Sequence, residues 1–371
     1  MAQKIIYCLL IALVLSLGFG QLLRFDFFGV PLYLHDVLTV CILALQLPRT
    51  FLDRRPEQSS SRDTEGGRRV LMGTLGIKLI LAGLFLGSLH ALTIYPVSDL
   101  LVPSLYSLRI LAYLGLYFVI KSQKNTIPLS VFLCSGLVTL TIGLLQYFLL
   151  PDMRIFQYLG WDDHLSRLTL PHFDPTFTGV MLSLALLSIF PSISSLLSPL
   201  FFLAILLTYS RSTWIALFLT GLLSIKNRKI FLASSIFLLI SIFALPQKFG
   251  EGTNLLRTYS INSRFESDLA YIQKYKWDLL IGRGMNTLIL DSGPSKYDNH
   301  ATGPNNSYLY LLSTTGILGL AGWGMVMYSL YVKSIHKPML IFFFLASLFN
   351  NVMFYPFALL WVLLLESPSH T

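Results

Sequence analysis

Charge and cysteine are both scarce in this 371-residue chain. Asp, Glu, Lys and Arg together make up 12% of it against 54% hydrophobic residues, and the mean hydropathy is +0.67. No soluble fold of this length covers so much apolar surface with so few charges, so a soluble globular protein is excluded. Three cysteines, Cys8, Cys41 and Cys134, each lie within an apolar run. They exclude a disulfide framework and a thiolate metal site, and read as small buried hydrophobes. No repeat of fixed period is visible, and the only low-complexity stretch is residues 56–67.

What the chain has is apolar runs near the ~20 residues that span hydrocarbon. They fall at 5–20, 30–47, 70–93, 103–120, 127–150, 173–190, 196–209, 212–225, 230–245, 307–332, 339–350 and 354–366. In lipid, backbone groups must be satisfied within each segment, so the expected fold class is all-α. The expectation is a polytopic integral membrane protein, one transmembrane domain over 1–371, with about twelve helices. The first run lacks a small-x-small cleavage site before Gln21 and reads as a retained helix, not a signal peptide. Runs 196–209 and 212–225 are short, as tilted or broken helices would be. Residues 339–366 read as two helices interrupted by Asn350-Asn351 and Pro356, with one kinked helix as the alternative.

The net charge of +9 does not point to nucleic acid, because much of the Lys and Arg sits in short loops. The basic linker 48–69 carries Arg49, Arg54, Arg55, Arg62, Arg68 and Arg69. Placing it in the cytoplasm also puts Lys121/Lys124, Lys226/Arg228/Lys229 and Lys333/Lys337 there, together with both termini. The loops 151–172 and 246–306 then face outward, the larger one partly helical.

That larger loop is a polar island in an apolar chain. It holds Arg257, Arg264, Arg283 and His300, with Glu266, Asp268, Asp278, Asp291 and Asp298 and interleaved aromatic residues. Each charge taken singly fits a solvated loop. Tyr271, Tyr275 and Asp278 are spaced for one face of a short interfacial helix. Arg211, in Tyr209-Ser210-Arg211-Ser212-Thr213-Trp214, lies between two apolar helices. Two readings fit it: a guanidinium snorkelling to headgroups, or one aimed at a phosphate whose oxygens match its fork. Arg109 and Lys78 fall inside spans, and Arg109 needs a partner or a lipid phosphate. Trp161-Asp162-Asp163-His164 has the acidic look of a metal site, but it sits in a loop beside the bilayer and no metal is assigned to it. Gly319, Gly322 and Gly324 suit close helix packing.

Four blocks in this order resemble those of the bacterial polysaccharide polymerase and O-antigen ligase superfamily. They are Arg167-Leu168-Thr169 with Phe173-Asp174-Pro175-Thr176-Phe177-Thr178-Gly179; the segment around Arg211; Ser263-Arg264, Trp277 and Ile281-Gly282-Arg283-Gly284; and Asn305-Asn306-Ser307-Tyr308-Leu309 with Thr315-Gly316-Ile317-Leu318-Gly319-Leu320. The resemblance covers roughly residues 150–330.

The resemblance implies an undecaprenyl-diphosphate-linked glycan donor, used at the periplasmic face of the inner membrane. The glycan moves onto a sugar hydroxyl with inversion and without metal or other cofactor. Arg211 and Arg264 match the family's functional arginines, with Arg167 and Arg283 as further substrate contacts and Asn305, Asn306 and Tyr308 on the acceptor side; Arg257, from the same polar loop, is a further candidate substrate contact. Ligases carry His where this chain has Asn305, which accepts no proton. That departure favours a polymerase, with a chain-length regulator as an optional partner. A ligase acting on lipid A–core with His300 as base is the alternative. A lipid-linked glycan flippase is a third reading, weakened by polar content that lies outside the spans.

Overall fold

The structure is a computed structural model and describes residues 2–27, 30–52, 65–123, 126–159, 161–189, 197–246, 251–254, 259–292 and 303–366. In chain order its helices are α1 (Ala2–Leu17), α2 (Leu34–Leu52), α3 (Glu65–Ile94), α4 (Val97–Ser122), α5 (Leu129–Leu149), α6 (Pro175–Ile189) and α7 (Leu197–Leu207). They continue with α8 (Arg211–Ser224), α9 (Arg228–Ala244), α10 (Tyr259–Lys274), α11 (Asp278–Ile281), α12 (Ser307–Lys333), α13 (Lys337–Phe349) and α14 (Pro356–Leu365).

A helix forms at each of the twelve apolar segments, and α10 and α11 lie in the polar island. Among the described residues, four stretches are long and apolar enough to cross a membrane: Met72–Ile94 within α3, and α4, α5 and α12. The pair 339–366 is two helices, separated at Asn350 and Asn351 and restarted by Pro356 at the first position of α14, where its missing amide costs nothing.

Three details depart from the sequence reading. Residues 30–33 begin no helix: β1 (Arg24–Phe27) and β2 (Val30–Tyr33) pair antiparallel, with Arg24 opposite Tyr33. The Asp36 carboxylate accepts the Tyr33 amide at 3.1 Å, which fixes the start of α2 one residue later. Second, α2 and α3 run into the 48–69 linker from both sides, to Leu52 and from Glu65; the remainder of the linker lies outside the described residues. Third, Cys8, Cys41 and Cys134 are exposed, not buried. An apolar neighbourhood in sequence does not imply burial when apolar helix faces also point outward.

The chain packs as two compact units. One comprises Met1–Leu38, Gln123–Ser260 and His336–Thr371; the other comprises Thr39–Ser122 and Ile261–Ile335.

In the first unit α6 is the centre, touching α5, α7, α8, α13 and α14. Val180, Leu182, Leu184 and Ala185 are fully buried, as a helix that is apolar all round requires. Its few polar groups are satisfied at short range: Ser183 donates to the Gly179 carbonyl at 2.7 Å, and Trp361 of α14 donates to Ser188 at 3.1 Å.

In the second unit α3 lies along α12 with the backbones nearly touching. A Cβ at Gly322 would stand 2.6 Å from the Gly76 carbonyl oxygen, and one at Gly83 would stand 2.9 Å from the Gly319 Cα. Small residues permit that approach, and dispersion along the seam then holds the pair. Gly324 does not take part: a Cβ there would meet nothing within 4 Å. Arg109 of α4 has a partner on its own helix, with its guanidinium 5.3 Å from the centre of the Tyr106 ring.

Candidate functional site

In the first unit the Arg167 block and the Arg211 block are one structure. Arg167 is buried and donates from Nε to the Thr208 carbonyl at 3.0 Å and from a terminal nitrogen to the Tyr209 carbonyl at 3.3 Å. Those carbonyls follow the end of α7, where helix geometry leaves acceptors without partners. The Leu168 amide donates to Leu207 at 2.9 Å, so the two strands of chain run side by side. Gln146 of α5 staples the arrangement from behind: its side-chain oxygen accepts the Thr169 amide at 2.9 Å and its nitrogen donates to the Arg167 carbonyl at 3.2 Å. A Gln inside an apolar run is a visible signal, and the sequence reading passed over it.

Tyr209 turns the chain with φ of +52°, and its hydroxyl donates to the Pro246 carbonyl at 2.7 Å. Arg211 is therefore the first residue of α8. Behind it Ser210 shares a hydrogen with Thr213 (2.8 Å) and with Ser212 (3.2 Å), and Asn350 donates to Ser212 at 2.9 Å. Gly179 of α6 makes room, since a Cβ there would stand 3.1 Å from the Thr208 hydroxyl and 3.2 Å from that of Thr213. The half-buried Arg211 lines an apolar groove of about 570 Å³ between α8 and α9, with Trp214, Ile215 and Phe218 on one side and Ile236 and Leu239 on the other. A cation and the positive end of a helix at one end of an apolar groove suit an amphiphile with an anionic head.

In the second unit the third and fourth blocks interlock in the same way. Helix α12 is broken at Gly316, whose φ is +66° and ψ −169°. The break frees carbonyls of the preceding turn, and the third block fills them: the Arg283 amide donates to Ser313 at 2.8 Å and the Gly284 amide to Thr314 at 2.9 Å. The Arg283 side chain is held by protein groups. It donates to Asp278, to Asp291 at 3.2 Å and to the Tyr95 hydroxyl at 2.6 Å, and it stacks 4.6 Å from the Tyr275 ring centre. Tyr95 and Tyr275 both donate to Asp291. Burial pushes the Tyr95 hydroxyl up to about 12, with Arg283 pulling down and Asp291 pushing up, so it stays protonated.

The start of α12 is capped by Asn306, whose side-chain oxygen accepts the Tyr308 amide at 2.9 Å and the Leu309 amide at 3.3 Å. The Asn305 amide donates to Asp268 of α10, and Arg264, one turn earlier on α10, acts on the same carboxylate. Burial raises Asp268, against those two lowering influences. The Arg264 charge and the Asn305 amide thus both act on Asp268, which in sequence looked like a solvated loop charge.

No protein-family model matches this chain, and no curated protein does.

The structure thus gathers the predicted residues into two groups. Arg167 and Arg211 share the first unit; Arg264, Arg283, Asn305, Asn306 and Tyr308 share the second. Arg167 and Arg283 spend their forks on protein acceptors, and Asn306 spends its side chain as a cap. Arg257 and His300 lie outside the described residues. Tyr95, Gln146, Asp268 and Asn350 are partners that sequence reasoning did not single out for these roles.

Proposed function

We propose that this protein is a membrane glycosyltransferase that polymerises undecaprenyl-diphosphate-linked oligosaccharide repeat units at the periplasmic face of the bacterial inner membrane. The observation that carries the reading is the position of Arg211, on the first turn of α8 and at the edge of the apolar groove between α8 and α9. A polyprenyl diphosphate has matching parts: an apolar tail for the groove and a diphosphate whose oxygens fit a guanidinium fork.

In this reading an acceptor sugar hydroxyl attacks the anomeric carbon of the donor glycan. The bond to the diphosphate breaks with inversion, the carrier diphosphate leaves with the electron pair, and the hydroxyl proton is taken up by the departing diphosphate. A diphosphate is already a good leaving group, so the site works mainly by stabilising its charge and orienting the acceptor, without a metal. Arg264, which the resemblance also assigns to the donor, belongs to the other unit. Asn305 cannot serve as a general base, a function worth typically ~10²–10⁴ in rate; this favours polymerisation over ligation to lipid A–core. Twelve crossings with both termini cytoplasmic, and residues 151–172 and 246–306 outside, complete the proposal.

The test is a gel of surface polysaccharide from the deletion strain complemented with Arg211→Ala or Arg264→Ala. A ladder collapsed to a single repeat on lipid A, with normal protein levels, is the expected result. A normal ladder from both variants sinks the proposal.

A further inference from the structure

The segment between α5 and α6 brings together three side chains to which the proposed transfer reaction assigns no role. One ligand atom each from Asp162, His164 and Asp174 lies within 4.8 Å of the other two. Sequence alone shows only the first pair; Asp174 comes from the turn that opens α6.

The segments carrying these residues are held together by their neighbours. Trp161, next to Asp162, stacks on Phe173, next to Asp174, with ring centres 4.6 Å apart and planes within 16°. The His164 carbonyl accepts the Met153 amide at 2.9 Å, and Leu165 bridges to Asp152. One oxygen of Asp174 is used as the cap of α6, accepting the Thr176 amide at 2.6 Å and the Phe177 amide at 2.9 Å. Its other oxygen is left for a ligand.

The second observation is independent of the acidic pair. The Nε2 of His164 is buried and has no hydrogen-bond partner. A buried ring nitrogen without a partner costs free energy, and native structures rarely leave one so. A cation bound there by Nε2 satisfies it and also draws the two carboxylates together.

We propose that Asp162, His164 and Asp174 form a divalent-cation site. One imidazole nitrogen and two carboxylate oxygens match a first-row ion such as Zn²⁺, bound at about 2.0–2.2 Å, with remaining positions filled by water. The ion ties the outward loop to the start of α6, beside the Arg167 block. It is structural and takes no part in the transfer reaction proposed above; neither proposal depends on the other.

The experiment uses the full chain in detergent, without a polyhistidine tag, stripped with chelator and titrated with Zn²⁺. Bound metal is read by elemental analysis after desalting, and thermal stability is read with and without the ion. Wild type is expected to retain one Zn²⁺ per chain and to melt higher with it. His164→Ala should lose the bound ion, and Asp162→Asn, at an exposed position, should weaken binding at least tenfold. Asp163→Asn, outside the ligand set, should bind as wild type does. If His164→Ala does not fold, Asp162→Asn decides. No retained Zn²⁺ in wild type, or equal retention in wild type and Asp162→Asn, overturns the site as adventitious.

Discussion

Gly282 and Gly316 lie backbone against backbone: a Cβ on Gly282 would stand 2.6 Å from the Gly316 amide nitrogen, and one on Gly316 would stand 2.5 Å from the Leu280 carbonyl oxygen. Both have positive φ, +90° and +66°. This contact lets the Arg283 and Gly284 amides reach the carbonyls freed at the break in α12. Gly282→Ala and Gly316→Ala each combine a conformational strain of about 1–3 kcal/mol with a backbone clash. Both should lower the melting temperature in detergent, whereas Gly324→Ala should leave it unchanged because its Cβ meets open space. Equal melting of all three variants would contradict the packing.

Arg283 sits against two carboxylates and two tyrosine rings with its side chain 10% exposed. Removing it strands Asp278 and Asp291, and breaking such a pair costs about 3–5 kcal/mol when fully buried. Arg283→Ala should therefore reduce folded protein in the membrane, and Arg283→Lys should recover only part of it, since one ammonium cannot reproduce the fork. A folded, fully stable Arg283→Ala that has lost only activity would assign Arg283 to substrate instead.

Filling the groove tests the lipid side of the functional proposal without touching a charge. Leu239 is 55% exposed on α9 and lines the groove opposite Trp214. Leu239→Trp should keep its melting temperature and cut chain growth by about tenfold, equivalent to about 1.4 kcal/mol of lost binding. Chain growth at the wild-type rate would remove the groove from the proposal.

His172 lies in the turn before α6, fully buried, with its Nδ1 2.7 Å from the Tyr355 hydroxyl. Burial holds its imidazole down to about 3, and nearby His35 adds to the effect. The sign follows from proton uptake. Above about pH 6.5 both folded and unfolded chains keep the ring neutral, so nothing is lost. Below it the unfolded chain binds a proton that the folded chain refuses, and stability falls as pH drops toward 3. At pH 5 the loss is about 2 kcal/mol. Melting curves between pH 7 and pH 5 should show it, and His172→Gln should show a shallower dependence. An identical slope in the variant would refute the assignment.

Much of the helical fold is legible from hydropathy because each apolar segment must satisfy its own backbone. The pairing of Arg24–Phe27 with Val30–Tyr33 was missed because Val30-Pro31-Leu32-Tyr33 is as apolar as the helix that follows. The exposed cysteines were misread because an apolar run does not say which of its faces turns inward. The blocks around Arg167, Arg211, Arg283 and Asn306 stood out in the sequence through their resemblance to one family's ordered motifs. The protein partners of Arg167 and Arg283 could not, since Thr208 lies 41 residues from Arg167 and Tyr95 lies 188 from Arg283.

Hydropathy and residue order are enough to read a helical chain of membrane type, where most helices begin and end, and which polar residues stand apart from the apolar background. These are local consequences of hydropathy, proline and backbone hydrogen bonding. Which arginines are held by protein groups, that Gly316 breaks α12 to receive the Gly282–Gly284 turn, and that Asp174 joins Asp162 and His164 emerge only once the chain is folded. Those are contacts between distant segments, set by how the helices pack, and no spacing along the chain encodes them.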